Sequence, residues 1–247
     1  MKRRLTSSLI AFGFVAAVVF GYAKLAKKVP PKAASGAPGV GAFVQGVVSR
    51  PAPDPCANVA DRCACAAEHG SSLLAASFPA RALQLLARSA GECHAPASEG
   101  PRAEALAVAE QAVEAKRVAS EVLKSEPQNR FARRALAIVA MQATDFTSCD
   151  ATLAELVKED PKDVDSLYYQ ALAQRRREHY NGAREGFLRV LRLDAQHIDA
   201  RYQLVTLTAT AGAQQEAEHD LQELSQIAPK DDPRTLDAQA VLQRAKH

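Results

Sequence analysis

A period of thirty-four residues runs through the C-terminal half of this chain and constrains its fold more than any other feature. The unit beginning at Val164 carries two helical patterns, Leu167 to Arg177 and Gly182 to Leu193, broken around Glu178 to Asn181. Leu167, Ala171 and Gln174 fall at i, i+4 and i+7 on one face, and Ala183, Phe187 and Val190 repeat that spacing on the second helix. Two amphipathic helices joined by a tight turn have to pack as an antiparallel pair. One period later, the copy from Ile198 supplies Leu204, Val205, Gly212, Ala217, Leu221, Leu224 and Pro229. One period earlier, the copy from Arg130 supplies Leu136, Ala137, Phe146, Cys149, Leu153, Leu156 and Pro161. No hairpin of this size buries its apolar face alone, so the copies stack.

The remaining composition agrees. Alanine dominates, aromatics are 5% of the 247 residues, tryptophan is absent and glycine is sparse, which favours helix nearly everywhere. The expected fold class is all-α. The formal net charge is +3, with both signs interspersed, so there is no strong field to gather nucleic acid, and a nucleic-acid partner is discounted.

These residues resemble the tetratricopeptide-repeat (TPR) family, whose consensus places a large apolar residue at position 4, a small one at 8, an aromatic at 17, alanine at 20, an aromatic at 24 and proline at 32. The unit at Val164 has Leu167, Ala171, Tyr180, Ala183 and Phe187 in those places, with Ala195 where proline is expected. Position 4 departs from the pattern in the other two copies, which carry Arg133 and Arg201. Small residues at Ala137, Ala171, Ala183 and Ala217 suit the closest helix crossings, and Pro161 and Pro229 stop a second helix and set the reversal. The resemblance implies a TPR-like helical-hairpin solenoid with a concave groove lined by Phe131, Arg134, Ile138 and Met141, then Asp165, Tyr168, Leu172 and Arg175, then Tyr202 and Thr206. Aromatics flanked by arginine suit an extended or helical peptide of acidic character. The alternative for Tyr168 and Tyr202 is packing between repeats. The chaperone-carboxylate clamp of some TPR modules is matched only at Arg134, so that specificity is not carried over.

Ahead of the repeats, Pro101 to Ser125 reads as one long helical pattern in which Ala115, Ala119, Val122 and Pro127 keep second-helix phase while the matching first helix is unrecognisable. Cys56 to Glu68 and Pro79 to Ala90 read as another helix pair separated by His69-Gly70-Ser71-Ser72. Pro233 to Ala245 reads as a capping helix with Asp232 as N-cap and Pro233 in the first helical position. The expected organisation is therefore a membrane segment over residues 1–28, a Pro/Gly/Ala-rich linker over 29–55, a Cys-containing helical region with a degenerate repeat over 56–129, three repeats over 130–231, and a cap over 232–247.

The N-terminal segment pairs a basic start with an uncharged stretch from Leu5 to Ala23 that comes close to spanning a bilayer hydrocarbon core of roughly 30 Å. An uncleaved single-pass anchor in a bacterial inner membrane with the C-terminal domain in the periplasm is the expectation, and secretion after signal cleavage is the alternative. Cys56, Cys63, Cys65 and Cys93 form a cluster suited to disulfides in an exported domain, or alternatively to metal, although Cys63-Ala64-Cys65 lacks the usual zinc spacing. No pairing is fixed by the sequence beyond Cys56, Cys63 or Cys65 as partners for Cys93. No phosphate loop, nucleophile elbow or His-Glu-x-x-His is present. The expectation is a non-enzymatic, membrane-tethered scaffold that needs no cofactor and no metal and takes a protein or peptide in its groove, with no small-molecule substrate identified. The alternative is a metal-responsive or redox-sensing domain built on the Cys56–Cys93 cluster with the groove as output.

Overall fold

A computed structural model describes residues 54–89 and 91–245. The expected anchor and nearly all of the linker lie outside the described residues. Within them no helix is long and apolar enough to cross a membrane.

The described residues form eleven α-helices and no strand, as the all-α reading expects: α1 Arg62–Ala75, α2 Pro79–Ser89, α3 Pro96–Val108, α4 Ala112–Ser125, α5 Arg130–Gln142, α6 Phe146–Glu159, α7 Val164–Arg176, α8 Tyr180–Leu193, α9 Ile198–Thr210, α10 Gln214–Ile227 and α11 Pro233–Ala245. The starts of α1, α3, α5, α7 and α9 are thirty-four residues apart throughout, as are those of α4, α6, α8 and α10. Five hairpins and a closing helix therefore stack in one series. Each first helix packs on its own second helix, which packs on the next first helix, and α1/α3, α3/α5 and α9/α11 also pack directly.

Sequence explains each joint. In every hairpin turn one residue has positive φ: Ser77, Glu110, Thr144, Glu178 and Gly212. Only Gly212 is the residue type that occupies this left-handed conformation without steric penalty. At the opposite joints Asn129, Asp163 and His197 cap α5, α7 and α9, each accepting from a backbone N–H three residues on. Asp232 accepts from the Arg234 N–H at the start of α11, the cap role expected for it. The predicted small residues sit at the crossings: Ala137, Ala171, Ala183 and Ala217 are all buried. A Cβ added to Gly186 would lie 2.6 Å from the Ala171 Cβ, so α7 and α8 have no room for growth there.

Arginine at position 4 has a local reason. Arg133 pairs with Glu155 and Glu159 on α6, and Arg201 with Asp220 and Glu223 on α10, so charge replaces apolar packing between the two helices of those hairpins.

Two expectations are corrected. The single long pattern from Pro101 to Ser125 is two helices, because α3 starts earlier, at Pro96, and runs through Gly100 and Pro101. Pro101 forfeits one backbone hydrogen bond but is fully buried, and Gly100 admits the side chain of Asn129. The supposed break at His69 to Ser72 lies inside α1. Ser71 and Ser72 bond back to the carbonyls of Ala67 and Glu68, and Gly70 lets Leu86 of α2 approach. Gly70, Ser77 and Ala82 each sit one residue late against the period of the later repeats, so the first hairpin is a true repeat carrying a one-residue offset.

Candidate interaction surface

The face made by the first helices is where a repeat array of this kind would take a partner, and the structure places the ten expected groove residues unevenly on it. Arg134, Ile138, Met141, Tyr168, Leu172, Tyr202 and Thr206 are buried, while Phe131, Asp165 and Arg175 are half-buried.

Arg134 is wholly enclosed and already saturated. Its guanidinium meets both Glu104 oxygens at 2.9 to 3.1 Å, both Asp163 oxygens at 3.1 Å, and Asp165 at 3.2 Å. The cluster ties α3, α5 and the N-terminus of α7 together where α5 and α7 themselves barely touch. Asp163 serves twice, because it also accepts from the backbone N–H and hydroxyl of Ser166. Burial pushes the Glu104 carboxyl up to about 7 against the pull of Arg134, with Asp165 and Asp163 adding negative charge nearby. The expectation that Arg134 offers charge to an acidic ligand is corrected here: its donors belong to the protein's own carboxylates.

Arg175 is different. No carboxylate among the described residues pairs with it, and burial holds its guanidinium below the ordinary range against an opposing pull from Tyr202, Tyr168 and Tyr180. Tyr180 at the start of α8 is 54% exposed, so an accessible ring follows Arg175 just across the turn from α7. Deeper in, Tyr168 stacks on His197 with ring centroids 5.0 Å apart, and Tyr202 donates its hydroxyl to Asp237 at 2.7 Å. Tyr168 Oη and Gln203 Oε1 are buried without a hydrogen bond of ordinary geometry. The two tyrosines thus pack between repeats, the alternative left open by their spacing.

Ser77 Oγ lies 3.5 Å from His197 Nδ1, the nearest arrangement to a nucleophile and base. That nitrogen already accepts from the Ala200 N–H at 3.2 Å as the cap of α9, so the pair serves structure.

The cysteine cluster resolves into two bridges, Cys56–Cys65 and Cys63–Cys93, with Cys149 free and buried. The first fastens the approach segment to α1 and the second ties α1 to the segment after α2. His69 lies beside Cys65, but sulfurs committed to a disulfide are not thiolate ligands.

No protein-family model matches this chain, and no curated protein matches it. Solved structures do resemble it. MamA from residue 41 to its end, from Desulfovibrio magneticus RS-1, is 20% identical over 68% of this chain and 95% of that one, with a TM-score of 0.44. YrrB, described as a TPR protein with an unusual peptide-binding site, is 19% identical over 71% and 90%, with a TM-score of 0.45. A tetratricopeptide repeat protein from Parabacteroides merdae is 16% identical over 73% and 75%, with a TM-score of 0.45. The fold is TPR-like. The thirty-four-residue spacing of the helix starts carries that assignment, and likenesses at this level say nothing about partner or process.

Proposed function

We propose that this protein is a membrane-tethered TPR-like scaffold of the bacterial cell envelope that holds a protein or peptide on its first-helix face. The observation that carries the reading is that no carboxylate among the described residues pairs with the half-buried Arg175, while Tyr180 at the start of the next helix is exposed. A half-buried cation that no described carboxylate neutralises suits a peptide bearing a carboxylate, and the other arginine of the groove, Arg134, is spent internally. The uncharged stretch from Leu5 to Ala23 supports tethering, and two disulfides in the first hairpin support an oxidising compartment, hence export.

The test of tether and compartment is mass-resolved alkylation of the full chain in isolated membranes, before and after reduction. The reading expects the protein in the membrane fraction with Cys56, Cys63, Cys65 and Cys93 labelled only after reduction. Labelling without reduction, or recovery of the intact chain in the soluble fraction, would contradict it.

A further inference from the structure

The first hairpin meets the last repeat through one turn. Arg234 at the start of α11 donates to the Ser77 carbonyl at 2.9 Å, and Ser77 Oγ stands 3.5 Å from His197 at the start of α9. Phe78 packs against the apolar cluster of Ile198, Tyr202, Val205, Leu224 and Ala238, with the Arg81 and Arg234 guanidinium carbons 5.0 and 5.5 Å from its ring centre. The helices α1 and α2 themselves make no extended packing against α9 or α11. The contact is therefore local, and it is made by the residues displaced by the one-residue offset of the first repeat.

The receiving side is built independently of the turn. Arg234 is clamped by Asp232 at 2.8 and 2.9 Å and by Asp199 at 2.9 Å, which orients one remaining donor at a main-chain carbonyl. A backbone carbonyl is common to every peptide, so this donor recognises peptide as such, and the ring beside it supplies the selectivity. The incoming side is independent too, since both disulfides lie within Cys56 to Cys93 and keep the hairpin intact whether or not its turn is seated.

We propose that the ends of α9 and α11 form a peptide-binding notch for a segment presenting a main-chain carbonyl followed by an aromatic side chain, and that the Ser77-Phe78 turn is its built-in occupant. A partner segment of the same chemistry enters by displacing that turn, so its apparent affinity is reduced by the fraction of molecules in which the turn is seated. Tyr202 is common to the notch and to the neighbourhood of Arg175, but the notch is defined by Arg234 and Phe78, and the inference does not depend on the scaffold reading.

The test is fluorescence anisotropy of a labelled peptide copying Leu74 to Leu83 of this chain, titrated with the detergent-solubilised full-length protein. Phe78→Ala vacates the ring site and should bind the peptide about tenfold or more tightly than the natural chain does. The double variant Phe78→Ala/Arg234→Ala, and a peptide with alanine in place of Phe78, should lose that gain. Equal binding by Phe78→Ala and the natural chain, no binding by Phe78→Ala, or full binding by the double variant each overturns the proposal. Helicity by circular dichroism confirms folding first. Should Phe78→Ala unfold, Phe78→Leu replaces it, with a smaller gain expected and the same contrary results.

Discussion

Arg234 on α11 donates through Nη1 to the backbone carbonyl of Ser77, 157 positions earlier in the chain, at 2.9 Å. Repeat arrays hold together mainly through neighbours, so a bond from the first hairpin to the closing helix is long-range order of another kind. Its counterpart inside the array is Arg134, which joins three successive first helices through Glu104, Asp163 and Asp165. The two arginines explain why a groove rich in charge by sequence is largely self-satisfied.

Removing Arg134 would leave three carboxylates facing each other in the interior. Arg134→Ala should destabilise the fold by about 3–5 kcal/mol, read as a lowered urea midpoint. A loss below about 1 kcal/mol would mean that the carboxylates find water or one another at little cost.

The same cluster makes stability depend on pH. The Glu104 carboxyl is raised to about 7 in the folded protein, mainly by burial, against an unfolded value of 4.5. The folded state thus holds a proton that the unfolded state releases between those values. The contribution is fully present below pH 4.5 and is lost as pH rises toward 7. Urea midpoints at pH 5 and pH 8 should fall with pH in the natural protein and fall less in Glu104→Gln. An equal fall in both would assign the dependence elsewhere.

Thr144 has φ of 61° in the turn where the last copy has Gly212. A β-branched residue is strained there, so Thr144→Gly should stabilise by roughly 1 kcal/mol despite the greater chain entropy of glycine. Gly212→Ala should act in the opposite direction. Thermal melts of the two variants check the pair, and the same sign in both would contradict the account.

Ala171 and Gly186 meet where α7 crosses α8, and a Cβ on Gly186 would lie 2.6 Å from the Ala171 Cβ. Ala171→Leu should overpack α7 against α8 and cost about 1–3 kcal/mol. Ala154, exposed on α6, should accept leucine with almost no change in melting temperature.

The last three hairpins were readable because their apolar spacing, turn residues and caps all keep one phase. The first two were readable only in part, as a helix pair and a single second helix, because residues that locally argue against helix interrupt them. The helical pattern reads as beginning only at Pro101, yet both Gly100 and Pro101 lie within α3, where tertiary packing outweighs the lost hydrogen bond. The single-residue offset in the first hairpin moved Gly70 and Ala82 out of the register in which small residues would have been recognised. The groove suffered from the same blind spot. Arg134 could be placed on the correct helix face, but its main partner, Glu104, sits on the helix that the sequence concealed. Arg175 shares the groove-facing register with Arg134, and only the three-dimensional neighbourhood separates the cation held by Glu104, Asp163 and Asp165 from the one that no carboxylate among the described residues meets.

The most direct test of the scaffold account places a photo-crosslinking amino acid at Tyr180, beside Arg175, and in a parallel variant at Glu185, exposed elsewhere on α8, in cells making the full chain. The account predicts discrete protein adducts from position 180, abolished by Arg175→Ala, and none from position 185. No adduct from position 180, or the same adducts from both positions irrespective of Arg175, would contradict it.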